Sequence, residues 1–265
     1  MLVAHLSDPH VTTGALGAEP VAGLHRALGR VRGLQIRPDC VVITGDLADH
    51  GTPDEYAVLH DVLKRFPIPV HLAVGNHDKV DAFLDTFAGT RFIGNVRNSG
   101  AGREASYIVE YPGATVIVLD SKQPGTPGGH LGPDQIGWLD EALGARRDVP
   151  AFVCLHHPPM ALGIVFLDGM RLADGAELAT AVGHHRHVVR VLAGHDHRAI
   201  TAGFAGTVLA VAPSTYRQSE LGLREAATMG YVAEPTGFLL HLLDDRQCVT
   251  HVVSVSHAGG LLGGY

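Results

Sequence analysis

The chain has 265 residues, of which 46% are hydrophobic and 18% are charged, and its net charge is −7 with histidine counted as neutral. This composition is too apolar for a disordered chain, and no run of about 18 uninterrupted apolar residues is present to cross a membrane. The acidic balance, without a basic run, argues against extended DNA or RNA as a partner. We therefore expect a globular protein that binds neither a membrane nor a nucleic acid groove.

Short β-branched strands alternate with helical patterns through the first half of the chain, which is typical of βαβ units with buried parallel strands. The pattern predicts strands at 2–6, 40–44 and 70–74 and helices at 21–34 and 55–66. From about residue 105 the strands become closely spaced. The later predicted strands are 106–111, 115–120, 151–155, 188–193, 199–204, 207–211, 237–242 and 248–254, with helices at 133–145 and after 175.

The later strands predict a second, mixed sheet. Two sheets packed face to face with helices outside would bury both sets of strands in one α/β core. We find no internal repeat and no linker, so residues 1–265 are predicted to form a single domain. The polar segment 217–236 is predicted to be a mobile loop, and the Gly-rich residues 259–265 are predicted to be a flexible tail.

The three cysteines, Cys40, Cys154 and Cys248, lie far apart in apolar runs. An odd, unclustered set of this kind predicts buried thiols rather than disulfides, and therefore a reducing compartment. The N-terminus lacks the charged start, apolar stretch and cleavage site of a signal peptide. These features predict a cytoplasmic protein.

Aspartate, asparagine or histidine residues follow five of the predicted strands. They are Asp8 and His10, then Asp46, then Asn76, His77 and Asp78, then His156 and His157, and finally His195, Asp196 and His197. Because the carboxyl ends of strands form the ligand crevice of open α/β sheets, these five strand ends can converge on one place. If the backbone there is extended, residues i and i+2 point to the same side. Asp8 with His10, and His195 with His197, are then each expected to bind one ion from one direction.

Carboxylate, imidazole and amide ligands without a thiolate suit iron, manganese, zinc or cobalt rather than a structural zinc site. Seven ligands are too many for one small ion. A pair of ions that shares one bridging carboxylate would use all seven and leave positions open for water and substrate. Each motif alone is weak, since Gly-Asp after a strand is also a common turn, but their combination at strand ends predicts a dinuclear metal site.

This set of motifs resembles the calcineurin-like metallophosphoesterase superfamily over about residues 1–200. The motifs are Asp8-Pro9-His10, Gly45-Asp46, Gly75-Asn76-His77-Asp78, His156-His157-Pro158-Pro159 and Gly194-His195-Asp196-His197. Within the superfamily, their spacing is similar to that of the bacterial class III cyclic nucleotide phosphodiesterases and the related glycerophosphodiesterases. The resemblance implies a four-layer α/β sandwich of two mixed β-sheets with helices outside, and a homodimer.

The resemblance also implies a role for each site residue. One metal would be held by Asp8, His10 and His197, the other by Asn76, His156 and His195, and Asp46 would bridge both. The two metals would be Fe and/or Mn, with Zn or Co as alternatives. A hydroxide held between them would attack the phosphorus of a small phosphodiester in line.

Asn76 and His77 would both contact the substrate, and His77 would be the imidazole that faces it. It would protonate the leaving oxygen or bind a nonbridging oxygen, and its alternative role is to orient a neighbouring ligand. Arg217 follows a predicted strand near the crevice and is a candidate substrate contact, with a surface arginine as the alternative. His157, Asp78 and Asp196 are predicted to orient neighbours or cap loops, and the histidines of 184–187 to end a helix.

The first candidate substrate is 3′,5′-cyclic AMP, and a glycerophosphodiesterase or a broad-specificity phosphodiesterase is the alternative. Asp49 stands where purple acid phosphatases have a tyrosine ligand, and His50 stands where Ser/Thr protein phosphatases have an arginine. Both differences point away from protein phosphomonoesters. A non-catalytic scaffold is a more distant alternative, because such scaffolds tend to lose ligands and this chain keeps all seven together with His77.

Overall fold

The computed structural model describes residues 1–97, 103–225 and 228–256. In these ranges the α-helices are α1 (Ala18–Arg32), α2 (Pro53–Leu63), α3 (Val80–Phe87), α4 (Pro133–Ala145), α5 (Val165–Asp168) and α6 (Gly175–Gly183). The strands are β1 (Leu2–Leu6), β2 (Cys40–Thr44), β3 (Val70–Ala73), β4 (Tyr107–Glu110), β5 (Thr115–Val118), β6 (Ala151–Cys154), β7 (Val188–Ala193), β8 (Ile200–Phe204), β9 (Thr207–Val211), β10 (Gln218–Ser219), β11 (Tyr231–Val232), β12 (Gly237–Asp244) and β13 (Gln247–Ser254).

Two mixed sheets form the centre of the fold, as predicted. The first has five strands in the order β13-β12-β1-β2-β3, and the second has six in the order β4-β5-β6-β7-β9-β8. In the first sheet β1, β2 and β3 are parallel, whereas β12 runs antiparallel to β1 with Leu2 opposite Leu242. The prediction that the strands near 237–242 and 248–254 belong to the second sheet is therefore wrong. The apolar pattern identifies a strand but does not specify its partner.

The apolar core lies on both faces of the six-stranded sheet. Along β6, Phe152 belongs to a cluster shared with the five-stranded sheet and with α1, α2 and α3, whereas the adjacent Val153 belongs to a cluster with α4 and α6. Successive side chains of a strand point to opposite faces, so one strand contributes to both clusters. The layers are helices, sheet, sheet and helices, which confirms the predicted four-layer α/β sandwich.

The start of α2 holds the loop that follows β2. Thr52 and Glu55 form a capping box, and Pro53 occupies the first turn, where its missing N–H costs nothing. The buried Glu55 carboxylate also accepts hydrogen bonds from Thr12 Oγ1 at 2.8 Å and from the His50 amide at 3.1 Å. This cap therefore ties the loops after β1 and β2 to the same helix end.

The segment 217–236 contains the two-stranded ribbon β10–β11, in which Ser219 pairs with Tyr231. Residues 226 and 227 of that predicted mobile loop, and all of the predicted tail 259–265, lie outside the described ranges, and the single domain stays a prediction. Cys40 and Cys154 are buried free thiols as predicted, but Cys248 is partly exposed. No helix in the described ranges combines the length and apolar composition needed to cross a membrane.

Candidate metal centre

Polar side chains converge where five parallel strands end. The residues concerned follow β1, β2 and β3 of one sheet and β6 and β7 of the other, and they are Asp8, His10, Asp46, Asn76, His156, His195 and His197. The structure thus brings all seven predicted ligands to the carboxyl edge between the two sheets, which is where open α/β sheets bind ligands. Six of the seven are buried, and Asn76 is partly exposed.

One group of candidate ligands gathers around His10. Its Nε2 lies 3.1 Å from Nε2 of His197 and 3.6 Å from Oδ2 of Asp46. His197 Nε2 in turn lies 3.4 Å from Oδ1 of Asp8. All four residues offer a ligand atom within 4.8 Å of every other, which is close enough for one cation.

A second group gathers around Asn76. Its Oδ1 lies 3.0 Å from His156 Nε2 and 3.0 Å from His195 Nδ1. His156 Nε2 is also 3.4 Å from Oδ1 of Asp46. Asp46 therefore lies between the two groups and directs one carboxylate oxygen towards each.

Hydrogen bonds on the far side of the rings fix which nitrogens face the centre. Nδ1 of His197 donates to the carbonyl oxygen of Arg217 at 2.9 Å, and Nδ1 of His156 donates to that of Thr44 at 2.7 Å. His10 Nδ1 lies 3.1 Å from Oδ1 of Asp49. Partners of this kind are typical of metal-ligating histidines, because they hold the ring and its tautomer.

These donor atoms fit cations. With hydrogen on the Nδ1 atoms of His10 and His197, two Nε2 lone pairs face each other at 3.1 Å with no hydrogen between them. A cation between the lone pairs would remove this repulsion. In the second group, Nδ1 of His195 lies 3.3 Å from Nε2 of His156, so two ring nitrogens also face each other there. The residues therefore match the nitrogen and oxygen donor set that the sequence predicts.

Charge and burial shift the pKa values in the centre in opposite directions. Burial raises the pKa of Asp8 to about 6 and lowers the pKa values of His197 and His195 to about 4 and about 3. Burial would also raise the pKa of Asp46, but the facing imidazoles, His156 first, hold it well below its usual value. Burial opposes protonation of His156, yet the Asp46 carboxylate raises its pKa to about 9.

The backbone at the centre is left-handed rather than extended. The φ angles are 51° at Asp8, 45° at His10, 46° at Asp46, 72° at His195 and 51° at His197. The expectation that extended backbone directs each i, i+2 pair at one ion is therefore wrong. His195 and His197 instead join different groups. Non-glycine residues in this region cost about 1–3 kcal/mol each, and such strain is concentrated at functional sites.

Two glycines allow this close packing. A Cβ on Gly45, whose φ is +93°, would lie 2.4 Å from Nδ1 of His156. A Cβ on Gly194 would lie 1.9 Å from Oγ of Ser7. Glycine is therefore required before Asp46 and before His195, because the neighbouring strand end lies against it.

His77 and Arg217 lie at the rim of the centre. Nε2 of His77 is 4.0 Å from Oδ2 of Asp46, and its ring lies edge-on to that of His10 at 4.7 Å. The Arg217 guanidinium stacks 4.0 Å from the ring of Tyr231, and its Nε is buried without a hydrogen-bond partner in the described residues. Arg217 is therefore half-buried beside His197 rather than a freely exposed arginine.

The remaining polar residues of the motifs support the loops. Asp78 accepts hydrogen bonds from the amides of Leu47 at 3.1 Å and Gly75 at 2.8 Å, so it joins the loops after β2 and β3. In extended backbone His157 would point away from His156, but the two rings lie edge to face with centroids 4.8 Å apart. Both ring nitrogens of His157 are nevertheless engaged, by Ser121 Oγ at 2.8 Å and by the carbonyl of residue 127 at 3.1 Å.

Asp196 and the histidines at the end of α6 are the other residues that the sequence predicts to have supporting roles. Asp196 is buried, and burial raises the pKa of its carboxyl to about 7. His184 caps the end of α6, and His185 lies 2.8 Å from Asp140 of α4, which fits the predicted helix end.

The sequence comparison with purple acid phosphatases identifies Asp49 only as the residue that replaces a tyrosine ligand. Its position three residues after Asp46, in the same loop, is the signal that it could reach the same centre.

Comparisons with known proteins agree with this geometry. The sequence model of the calcineurin-like phosphoesterase family matches residues 1–199. A probable glycerophosphodiester phosphodiesterase GpdQ of Arcobacter nitrofigilis is 29% identical over 270 residues, covering 100% of this chain and 96% of the relative. A probable cyclic nucleotide phosphodiesterase of Synechococcus is 30% identical over 242 residues, covering 89% and 88%.

Solved structures show the same fold at low sequence identity. A dimetal phosphatase from Danio rerio superposes with a TM-score of 0.69 at 14% identity, over 96% of this chain and 99% of its own. The purple acid phosphatase PPD1 of yellow lupin superposes with a TM-score of 0.63 at 14% identity, over 97% of this chain and 52% of its own. At this identity the likeness extends to the fold alone.

Proposed function

The chain belongs to the calcineurin-like phosphoesterase family and is a metal-dependent phosphodiesterase, and we propose that it hydrolyses small phosphodiesters, with 3′,5′-cyclic AMP as the first candidate. A glycerophosphodiester is the second candidate, because the GpdQ relative is similar over the whole of both chains. The family uses a binuclear metal centre. The position of Asp46 between the two ligand groups, with one oxygen towards each, is the observation that carries the proposal.

We assign the ligands by these two groups. Asp8, His10 and His197 would hold one cation, Asn76, His156 and His195 the other, and Asp46 both. Fe and/or Mn are the proposed metals, with Zn or Co as alternatives. Bound together, two divalent cations would lower the pKa of a water molecule towards about 7 and stabilise the charge that develops on the phosphoryl oxygens.

The side chains of the chain set the charge of the site. Two carboxylates, Asp8 and Asp46, offset part of the cationic charge, while the neutral Asn76 stands where a third carboxylate would offset more. The remaining positive charge suits a monoanionic diester without an arginine cluster. Asp49 and His50 stand where phosphomonoesterases of the family have other residues, which also supports a diester.

His77 is the proposed proton donor. Its Nε2 faces Asp46, and the imidazolium form, which carries hydrogen on both ring nitrogens, can protonate the leaving oxygen or bind a nonbridging oxygen of the diester. Arg217, held against Tyr231 beside His197, is a proposed second substrate contact. A homodimer and a cytoplasmic location are further proposals from the sequence, and light scattering tests the first.

Turnover of three diesters by Mn²⁺-loaded protein tests the proposal. We expect cleavage of bis(p-nitrophenyl) phosphate and of either cyclic AMP or a glycerophosphodiester, and the ratio of their kcat/KM values distinguishes the two candidates. Asp46→Asn should abolish each activity. Negligible cleavage of every diester by fully metallated protein would contradict both candidates and would support the non-catalytic scaffold.

A further inference from the structure

A cavity of about 690 Å³ includes Lys122, which is hydrogen-bonded to the loop that carries Asn76, among its lining residues. Its walls come from the first turn of α3, the loop after β5 and the start of α4, together with Arg97 and Arg103. The loops after β3 and β5 lie at the same carboxyl edge as the metal ligands. The volume falls within the range of about 300–1,000 Å³ that is usual for small-molecule sites.

Lys122 connects this cavity to the centre. Its side chain lines the cavity, and its Nζ donates a hydrogen bond of 2.5 Å to the main-chain carbonyl of Asn76. The side-chain oxygen of Asn76 is the atom that lies 3.0 Å from His156 Nε2. Lys79, on the α3 wall, comes two residues after His77. Lys79 and Lys122 therefore connect the lining of the cavity to the loop that carries Asn76 and His77.

Most charges in the cavity are neutralised within the protein. Arg97 pairs with Glu104 at 2.6 Å, and Arg103 pairs with Asp85 at 2.6 Å. Asp120 is buried and accepts hydrogen bonds of 3.0 Å from the amides of Ala105 and Lys122. Asp134 lies in the first turn of α4, where the helix dipole favours a negative charge.

Within the described ranges, the ammonium groups of Lys79 and Lys122 are not paired with a carboxylate in this way. Neither has a carboxylate within 4.0 Å in the part of the chain that the structure describes. The remaining stretches, 98–102, 226–227 and 257–265, contain no Asp or Glu. Among the described residues, these two cationic groups of the lining therefore have no carboxylate partner and are available to an anion. Among the described residues, the lining contains no Phe, Tyr or Trp on which a nucleobase could stack.

We propose that this cavity binds one alcohol group of the diester substrate, and that Lys79 and Lys122 select an alcohol that carries a carboxylate or a phosphate. The inference rests on the proposed function and narrows its substrate class. Charge-assisted hydrogen bonds from ammonium to carboxylate or phosphate are stronger than neutral ones, so the charged alcohol should be preferred. Of the two candidate substrates, this inference therefore favours a glycerophosphodiester with an anionic alcohol over 3′,5′-cyclic AMP.

A matched pair of substrates tests this selectivity. Glycerophosphoserine and glycerophosphoethanolamine differ by one carboxylate, and we expect Mn²⁺-loaded protein to prefer the first by about tenfold in kcat/KM. Lys79→Gln and Lys122→Gln should each reduce the ratio, and the double variant should bring it close to one. Lys64→Gln is the control, because Lys64 pairs with Asp61 at 2.7 Å, outside the cavity, and the ratio should stay unchanged.

A second pair distinguishes the two anions. The pair is glycerophosphoglycerol with and without a terminal phosphate. If a phosphate is the natural group, this pair should show the same lysine-dependent preference as the serine pair. If a carboxylate is the natural group, its preference should be smaller than that of the serine pair. Equal rates within both pairs would overturn the proposal, as would a preference that the double variant retains.

Calorimetry separates this inference from the proposed function. Phosphoserine should bind Mn²⁺-loaded protein about tenfold more tightly than phosphoethanolamine, and Lys79→Gln should reduce the difference. If no diester is cleaved but this difference is found, the phosphodiesterase proposal fails and the anion-selective cavity stands. If diesters are cleaved but the two ligands bind equally, only the cavity proposal fails. Lys79 lies outside the candidate ligand set, so its variant also serves if Lys122→Gln does not fold.

Discussion

Nδ1 of His77 donates a hydrogen bond of 2.8 Å to the main-chain carbonyl oxygen of Asp49. Because a carbonyl oxygen can only accept, Nδ1 carries a hydrogen and Nε2 is the nitrogen left to face the centre. That nitrogen lies 4.0 Å from Asp46 Oδ2, and 41% of the His77 side chain is exposed. The ring is therefore held by the protein on one side and open to a substrate on the other.

His77→Ala should lower kcat for bis(p-nitrophenyl) phosphate by about 10²–10⁴, because a positioned general acid contributes that much to proton transfer. Bound metal per chain should not change, since the other candidate ligands remain. Steady-state kinetics with metal analysis of the same samples measures both. His25→Ala, on the exposed face of α1, is the control and should keep full activity. Loss of metal together with activity would instead place His77 among the ligands.

Metal removal should lower the thermal stability as well as the activity. At a Mn²⁺ concentration one hundred times its dissociation constant, each site adds about 2.7 kcal/mol to the free energy of unfolding. For a chain of this size, each such contribution raises Tm by roughly 5–10 °C. Asp46→Asn should lose at least half of this rise, because Asp46 faces both ligand groups. Calorimetric melts with EDTA and with Mn²⁺ give the comparison.

Glu141→Gln provides the matched control for that experiment. Glu141 is exposed on α4, and its variant should show the same Mn²⁺-dependent rise in Tm as the unmodified protein. An equal rise in Asp46→Asn would show that the metal binds without the carboxylate assigned to both ions.

Local patterns predict the elements of this fold well. Buried apolar runs identify strands such as β7 and β9, and a proline at the first turn marks the start of α4, so these bounds agree with the prediction to the residue. Local patterns do not predict the partner of β12. Its antiparallel pairing with β1 joins residues more than two hundred positions apart, and no local periodicity encodes such a contact.

The candidate site shows the same division. Residue type at strand ends predicts that Asp8, Asp46 and His195 converge, because parallel strands end at one edge. The direction of each side chain depends on a left-handed φ, which is uncommon for any residue except glycine, although aspartate and histidine adopt it more often than most. Asp49 supports His10 through a contact made only after the loops after β1 and β2 have packed together. The ligand and substrate roles themselves stay predictions.

The left-handed backbone of the ligand loops has a measurable cost. In metal-free protein, His197→Gly should unfold with a free energy about 1 kcal/mol larger than His197→Ala, because glycine adopts φ near 51° without the Cβ clash. His156 does not have a positive φ, so the order should reverse there and alanine should be the more stable replacement. Urea denaturation of the four variants measures both differences. The same order at both positions would contradict backbone strain at residue 197.

Two buried histidines away from the ligand groups make stability sensitive to acid. His241 Nε2 lies 3.4 Å from His5 Nδ1, and the rings bond outward to Thr250 Oγ1 and Thr44 Oγ1 at 2.9 Å each. Burial lowers the pKa of His241 to about 3 and holds the pKa of His5 well below its usual value. Both rings are therefore neutral in the folded protein and take up protons only when it unfolds.

The sign of the pH effect follows from these shifts. Each histidine has a folded pKa below its unfolded value of about 6.5, so its full stabilisation is present above that pH and is lost as the pH falls towards the folded pKa. The free energy of unfolding should fall by about 1.4 kcal/mol per pH unit for each ring between roughly pH 5.5 and 4. His241→Gln keeps hydrogen-bonding groups but takes up no proton, so its slope should be smaller by that amount, and adding His5→Gln should remove as much again. Urea denaturation of metal-free protein across this pH range measures the slopes, and identical slopes in all three proteins would mean that these rings are not neutral in the folded state.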